Sequence, residues 1–381
     1  MGRVGVPVFA FVEDRFTPTA VSRYLSGRCV QASTGLEPED VLVERIIEAG
    51  RRVGRRGVVI ATDDEAAVLL ATHARELEPW YMLPKIEPQL AARLASKQGL
   101  QELCREHGVA TPRAAFVSSP TELAEFIEEA DFPVVAKSVA PWERLRVASL
   151  RDPRVVGDAT ELIEASNGWG PSWSVTLQEY LPREVSEDWI FQAYFDKDSE
   201  PLVAFTGTKY RSWPPHAGPT AYARVVGNEH LTKLASELCQ EIGYRGIVDM
   251  DWRYDRRDDT YKLLDCNPRV GAQFRLFETD SGIDVVRAMH LDLTGRAVPP
   301  GRQVEGRALV VEHYDARAAF AYARHRTDRV RVPHARGPVE LSWFAWDDPL
   351  PALALGARMM TRLFARLRPR ASAGRSEQSL R

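Results

Sequence analysis

Long apolar runs are missing from this chain of 381 residues. A transmembrane helix needs about 20 consecutive, mostly apolar residues, and no segment approaches that length. The N-terminal residues MGRVGVPVFAFVEDR also lack the apolar region and small-residue cleavage site of an export signal. We therefore expect no stable membrane association.

Paired cysteines and excess charge are missing as well. The four cysteines include no Cys-x-x-Cys pair, and they fit free thiols in a reducing cytoplasm better than disulfides or a zinc site. The 50 basic and 53 acidic residues leave a net charge of −3. A chain without a basic excess is not expected to bind nucleic acid. We predict a cytoplasmic protein whose partners are small molecules.

Several common catalytic motifs are also absent. The chain has no G-x-x-x-x-G-K-[ST] loop and no G-x-G-x-x-G after a strand, which excludes the P-loop and Rossmann fingerprints. It has no H-E-x-x-H, no G-x-S-x-G and no kinase catalytic loop. Its eight histidines are isolated, so each fits a structural role better than a metal-binding one.

The first third of the chain alternates between strand and helix patterns. Apolar runs at 6–12 and 57–62 fit buried strands, and 38–49 and 63–77 fit helices. Alternation of this kind predicts a doubly wound parallel α/β domain. The proline-rich segment 78–88 breaks the pattern and marks a domain boundary.

Regular elements are also predicted beyond that boundary. Helices are expected at 89–107 and 120–130, the latter opened by a capping box, and a strand at 132–139. Two further strands, 246–255 and 260–267, flank a charged turn and predict a hairpin.

Acidic and amide side chains alternate along this hairpin. Asp265 and Asn267 share one face of their strand, and pairing with the preceding strand would add Asp251 to the same surface. Carboxylate and amide oxygens suit Mg²⁺. The alternative is a solvated hairpin with its polar residues in water, but the apolar neighbours Ile247, Val248, Leu263 and Leu264 favour a buried hairpin, in which clustered carboxylates need a cation.

Two weaker signals precede the hairpin. Lys137 lies in the apolar strand FPVVAK, where it contacts either a phosphate or, equally well, solvent at the strand end. Residues 178–181 (QEYL) close an apolar strand before the acidic Glu184, Glu187 and Asp188. Such an edge can hold adenine and ribose, although a strand that runs into a polar loop explains it as simply.

In this order, the three features resemble the ATP-grasp superfamily over residues 92–296. KQGLQELCREHGVATP, FPVVAK, QEYL, DMDW and LLDCNPR each look like one of its segments. The likeness implies Mg²⁺ ligands at Asp251, Asp265 and Asn267, with Mn²⁺ as an alternative ion. It implies ATP contacts from Lys97, Lys137, Gln178, Glu179, Leu181, Glu187, Asp188 and Lys209. It places Arg269 and Lys209 at the transferred phosphate as catalytic groups.

Within the superfamily the chain looks most like the carboxylate–amine ligase branch that includes D-aspartate ligase. The segments VPVFAFVEDRFTPTAVSRYLSGR and WDDPLPAL carry that likeness. It implies that a carboxylic acid is activated as an acyl-phosphate and joined to an amine, with a homodimer left open. An ATP-grasp phosphotransferase and a nucleotide-binding protein without turnover are the alternatives.

The resemblance also implies a domain organisation. An N-terminal doubly wound α/β domain (1–88) is followed by a two-lobed ATP-grasp domain with a small lobe (89–172) and a large lobe (173–300), and by a C-terminal extension (301–381). Two departures stand out. Relatives have a strand and a glycine turn before VGVPVFAF, so we expect an internal start or a missing first unit. The segment 138–150 after Lys137 has no glycine, unlike many phosphate-covering loops.

The C-terminal extension contains an amphipathic pattern at 352–368, with Leu353 and Met360 on its apolar face and arginines opposite. A helix docked on the body with its arginines in water fits best, and a basic helix at a membrane surface is the alternative. Residues 371–381 are expected to be disordered.

Overall fold

The structure is a computed structural model that describes residues 1–32, 36–138, 154–169, 173–215, 218–324 and 337–367. The glycine-free segment after Lys137 and the C-terminal tail lie largely or wholly outside these residues. The chain divides into two compact units, one of residues 1–33 and 343–381 and the other of residues 34–342. The boundaries at 88, 172 and 300 stay predictions.

The described helices are α1 (Glu39–Val53), α2 (Asp64–Thr72), α3 (Ala74–Leu77), α4 (Pro88–Ala95), α5 (Lys97–Glu106), α6 (Pro120–Glu129), α7 (Ala159–Ser166), α8 (Glu229–Glu241), α9 (Val285–Leu293), α10 (Glu312–Arg324) and α11 (Leu350–Leu367). The described strands are β1 (Phe9–Val12), β2 (Gly27–Val30), β3 (Gly57–Val58), β4 (Tyr81–Met82), β5 (Ala114–Val117), β6 (Val134–Ser138), β7 (Arg154–Val156), β8 (Val175–Glu179), β9 (Ser186–Phe195), β10 (Pro201–Ser212), β11 (Thr220–Val225), β12 (Gly246–Asp255), β13 (Thr260–Asn267), β14 (Ala308–Val310) and β15 (Val339–Leu341).

The larger unit contains a seven-stranded sheet with the strand order β13-β12-β9-β10-β11-β14-β15. All neighbouring strands run antiparallel except β14 and β15. One face of β9, β12 and β13 packs on α4, α5 and α8 through a buried apolar cluster that includes Phe191, Met250, Trp252 and Cys266. Because side chains alternate along a strand, the intervening residues of these strands lie on the opposite face.

A second sheet in this unit has four antiparallel strands in the order β5-β8-β6-β7. Leu123 of α6 and Leu162 of α7 pack with Val134, Val175 and Leu177 of its strands into a separate buried core. The segment between β8 and β9 connects this sheet to the seven-stranded one. The structure therefore places QEYL in the last residues of β8 and directly after it, at the link between the two sheets.

The parallel pairing predicted for the N-terminal third is present in two short ladders rather than in one sheet. β1 pairs with β2 in the smaller unit, and β3 pairs with β4 in the larger one. The expectation that 6–12 is a buried strand is wrong for its aromatic residues, since Phe9 and Phe11 are 47% and 44% exposed. Phe9 and Phe11 lie on the same face of a ladder of only two strands, and so small a ladder covers little apolar surface.

The single helix predicted for 89–107 is also wrong, because it divides at Ser96. The extended backbone of Ser96 ends α4, and its hydroxyl accepts a hydrogen bond from the Gly99 amide to cap α5. Gly99 is needed there, since a Cβ atom would lie 2.7 Å from the Arg93 carbonyl oxygen. The division makes Lys97 the first residue of a new helix.

The C-terminal helix predicted at 352–368 corresponds to α11. Arg358 donates a 2.8 Å hydrogen bond to Asp14 within the same unit rather than pointing into water, and Leu353 and Met360 of the predicted apolar face are 66% and 49% exposed. In the described part of the chain, no helix combines the length and apolar character required to cross a bilayer.

Candidate active site

The β12–β13 hairpin brings the predicted metal ligands together. Asp251 lies directly opposite Asp265, and Asp249 lies opposite Asn267. Directly opposed residues of an antiparallel pair point to the same side of the sheet. The four side chains therefore form one polar surface on the face away from the apolar cluster, which confirms the predicted geometry.

A β-bulge at Leu264 makes this arrangement possible. From Asp255 opposite Thr260 the strands stay in register to Trp252 opposite Leu263, and then Asp251 faces Asp265 with Leu264 unpaired. Without the extra residue, Asp265 would face Met250 and point into the core. The bulge was not part of the sequence analysis. Its signal is that Leu263 and Cys266, three residues apart, both lie in the same apolar cluster.

Three cationic side chains contact the three predicted ligands. Lys97 Nζ donates to Asp265 Oδ1, and Lys209 Nζ donates to Asp251 Oδ1 at 2.9 Å. Arg269 Nη2 donates to Asn267 Oδ1 at 2.9 Å. The two lysine side chains are only 13% and 12% exposed. The structure thus concentrates positive charge around the predicted metal and phosphate positions.

Neighbouring charges set the pKa values of Asp265 and Lys209 on this surface. Burial alone would raise the pKa of Asp265, but Lys97, Lys137 and Arg269 hold it below its usual value. Burial would lower the pKa of Lys209, yet Asp251 and Asp188 raise it above that of a free lysine. Opposed charges therefore persist on this surface at neutral pH.

Asp249 has a different environment from Asp251. It is buried, and it accepts hydrogen bonds from Gln192 Nε2 at 2.8 Å and Gln273 Nε2 at 3.0 Å. Burial, with a contribution from Asp251, raises its pKa to about 7. Gly271 lies against its carboxylate, where a Cβ atom would come within 2.3 Å. Alternation along the strand predicts that Asp249 shares a face with Asp251, whereas its glutamine partners come from distant segments.

Lys137 projects from β6, and Nζ donates a 2.7 Å hydrogen bond to Gln178 Oε1 on the neighbouring β8. Burial, aided by repulsion from Lys97, lowers its pKa to about 7. Its ammonium group is partly buried and bound to Gln178, so it does not project freely into solvent. The structure thus disfavours the solvent-facing alternative for Lys137.

The predicted adenine and ribose residues separate into two sets. Glu179 accepts from Arg257 Nη2 at 2.9 Å, and the Leu181 carbonyl accepts from Arg253 Nη1 at 3.1 Å. Asp188 lies on the polar face of the sheet and is bound by Arg253 Nε at 2.7 Å. Glu187 lies on the opposite face, paired with Arg256. Of the two ribose candidates, only Asp188 shares a face with Asp251.

Asp64 also belongs to this candidate site, through its contact with Arg269. It is the first residue of α2, and its Oδ1 accepts a 2.8 Å hydrogen bond from Arg269 Nε. Burial raises the pKa of Asp64 against the opposing effect of Arg269. The sequence predicts a helix that starts at Asp63 and Asp64. It does not predict the contact of Asp64 with Arg269, which lies about 200 residues further along the chain.

The donor set fits a hard divalent cation. Asp251, Asp265 and Asn267 supply two carboxylates and one amide oxygen on one partly exposed surface. Among the described residues, no group of three or more His, Cys, Asp or Glu side chains could hold a metal by itself. A site with so few protein carboxylates matches Mg²⁺, which commonly completes its shell with water and nucleotide phosphates.

Known proteins share this architecture. The biotin carboxylase domain of 2-oxoglutarate carboxylase from Hydrogenobacter thermophilus, in complex with MgADP and bicarbonate, superposes with a TM-score of 0.59 at 16% identity, over 79% of this chain and 67% of that one. N5-carboxyaminoimidazole synthetase from Staphylococcus aureus, complexed with ADP, gives 0.59 at 13% identity, over 80% and 74%. The chain has the ATP-grasp fold.

The ATP-grasp fold confirms the fold class predicted from the sequence. In sequence, the chain is similar to D-aspartate ligase from Enterococcus faecium (strain Aus0004), with 24% identity over 292 residues. The similarity covers 73% of this chain and 68% of that protein. No protein-family model matches the chain.

Proposed function

We propose that this protein is an ATP-dependent carboxylate–amine ligase that works through an acyl-phosphate and releases ADP and phosphate. The observation that carries the proposal is the pairing of Asp251 with Asp265 across the hairpin, with Lys209 and Lys97 in contact with them. This prediction from the sequence agrees with the similarity to D-aspartate ligase. ATP and Mg²⁺ are the cofactors.

The proposed nucleotide site extends from the link between the lobes to the polar face. Glu179 and the Leu181 backbone hold the base, and Asp188 serves the ribose. Lys97, Lys137 and Lys209 offset phosphate charge, while Gln178 orients Lys137. Asp251, Asp265 and Asn267 hold Mg²⁺, which supplies further neutralisation of the phosphates when bound. Positioning and charge neutralisation are the main tasks in phosphoryl transfer.

The chemistry follows from the weakness of a carboxylate as an acyl donor. A carboxylate oxygen of the acid attacks the γ-phosphorus, the bond to ADP breaks, and an acyl-phosphate forms. The amine nitrogen then attacks the acyl carbon, phosphate departs, and the amine loses a proton. Arg269 lies beside Asn267 and orients the acid or the transferring phosphoryl group.

Isotope and trapping experiments test this sequence of bonds. An acid labelled with ¹⁸O in its carboxylate should deliver one label to the released phosphate, and hydroxylamine should trap a hydroxamate when no amine is present. Formation of AMP would indicate adenylation instead. A stable phosphorylated product that keeps the label would indicate a phosphotransferase, and nucleotide binding without ADP release would indicate a protein without turnover.

The acid and amine are proposed as the only substrates besides ATP. Cytoplasmic location, assembly as a homodimer and the absence of a nucleic-acid partner stay predictions, since they rest on composition and resemblance.

A further inference from the structure

A small apolar pocket lies next to Arg269. It has a volume of about 50 Å³ and is lined chiefly by apolar residues of α2, of β12 and of the chain after β13. The lining residues that matter most here are Ala67, Leu70, Ala71, Ile247, Val270 and Met289. Arg269 is its only charged lining residue within the described part of the chain.

The pocket is continuous with the candidate active site. Arg269 lines it and also contacts Asn267, one of the proposed metal ligands. Asp64, which binds Arg269, begins the helix whose Ala67 and Ala71 line the same pocket. Residues three and seven positions apart lie on one helix face. The Asp64–Arg269 pair therefore lies at the polar end of an apolar recess.

Size and polarity together define what this recess can hold. A cavity needs about 10–15 Å³ of this kind of space to hold one water, so 50 Å³ admits only a small group. A water molecule needs two to four polar partners, and apolar cavities stay dry. A charged or amide side chain would lose its hydration without compensating hydrogen bonds. A short alkyl group needs no polar partners and loses no favourable hydration when it enters the recess.

We propose that this pocket receives the side chain of the acid substrate and selects acids with a small apolar side chain. Arg269 binds the carboxylate at the mouth, and Asp64 positions Arg269. This proposal rests on the proposed ligase function. It assigns to this chain a specificity that differs from that stated in the name of its relative, which acts on aspartate.

Hydroxamate formation over a panel of acids tests the selection. The panel contains 2-amino acids and the corresponding unsubstituted acids, with side chains of none to four carbons, together with D- and L-aspartate. Efficiency should be highest with a short alkyl side chain, and lower both without a side chain and with D- or L-aspartate. Ala71→Val fills the pocket and should lower kcat/KM for the preferred acid on the order of 10–200-fold, the range for one methylene in an apolar pocket.

Two further variants keep the test decisive. Ala66→Val, on the same helix but outside the lining, is the matched control and should leave the preference unchanged. Ile247→Val removes one methyl group at modest cost in stability, and should shift the preference towards a side chain one carbon longer. Thermal unfolding of each variant shows whether the fold is retained.

The possible failures are distinguishable. Hydroxamate formation that is most efficient with aspartate, or equal effects of Ala71→Val and Ala66→Val, would overturn the side-chain pocket and leave the ligase intact. If no acid in the panel yields hydroxamate or ADP, the ligase function fails, and the pocket proposal fails with it.

Discussion

Lys137 and Lys209 are partly buried lysines on the two sheets of the larger unit, yet their pKa values shift in opposite directions. Lys209 of the seven-stranded sheet contacts the Asp251 carboxylate, and its pKa is raised. Lys137 of the four-stranded sheet contacts the neutral amide of Gln178, and its pKa falls to about 7. Burial opposes the charge of both lysines, so the partner decides the outcome.

The difference assigns the two lysines different roles at neutral pH. Lys209 carries a charge that the protein itself fixes through Asp251. Lys137 is divided between charged and neutral forms in the free protein, and a phosphate within about 4–6 Å would favour the charged form. Nucleotide binding should therefore change the protonation of Lys137 more than that of Lys209.

We expect the largest loss of activity when Lys209 is given an amide partner, as Lys137 has, in place of a carboxylate. Asp251→Asn replaces a carboxylate by an amide and also removes a proposed metal ligand. ADP release should fall on the order of 10²–10³-fold or more, as for other preorganised electrostatic groups. The measurement is steady-state ADP release at saturating Mg²⁺, with circular dichroism to confirm the fold.

Asp258→Asn is the matched control for this variant. Asp258 lies in the turn of the same hairpin, and its side chain is 48% exposed, so activity should stay near that of the wild type. Near-wild-type ADP release by Asp251→Asn would refute the assignment of Asp251 to the metal.

Removal of Lys137 should have an intermediate effect. Lys137→Ala deletes one charge-assisted phosphate contact, which contributes about 1.5–3 kcal/mol. ATP affinity should weaken about 10–150-fold, as measured by equilibrium titration with a non-hydrolysable analogue. Lys85→Ala, at a lysine that is 72% exposed, is the control. A change in ATP affinity of less than about twofold would refute the phosphate contact and favour a solvent-facing lysine.

The smallest effect is a proton taken up on nucleotide binding. Because the pKa of Lys137 is about 7, roughly half of the molecules need a proton at neutral pH when phosphates stabilise the charged form. Nucleotide affinity should accordingly decrease as the pH rises above 7. Calorimetry in two buffers of different ionisation enthalpy measures the uptake.

Lys137→Met should lose this component while retaining any protons exchanged by Asp249 or by the nucleotide itself. Equal proton uptake by the wild type and Lys137→Met would show that Lys137 is already fully charged in the free protein, which would remove the contrast with Lys209.

Sequence patterns predicted best where the interacting residues are close along the chain. The β12–β13 hairpin joins strands separated by a short turn, so alternation alone placed Asp265 and Asn267 on one face. The starts of the helices at Asp63 and Ser119 were also predicted, because the residues of an N-terminal cap are only three positions apart. The two-lobed part of the fold class came instead from the resemblance to the ATP-grasp superfamily.

Contacts between distant segments were not visible in the sequence. Lys97 pairs with Asp265 across 168 positions, and Arg269 pairs with Asp64 across 205. The exposure of Phe9 and Phe11 depends on which strands join the ladder, and an apolar run does not specify its neighbours. The break between α4 and α5 at Ser96 involves only neighbouring residues. It was not predicted because Lys97 and Gln98 continue the helical pattern of the preceding residues.

The bulge at Leu264 affects how this chain should be compared with its relatives. If the pairing of the two strands were extended from the turn between Asp255 and Thr260 without the bulge, Asp251 would lie opposite Leu264, and Asp265 opposite Met250. Insertions of two residues in the turn preserve the facing of the strands, whereas an insertion of one needs a second irregularity to restore it. Homologues with turns of odd and even length should therefore differ in whether they carry this extra residue.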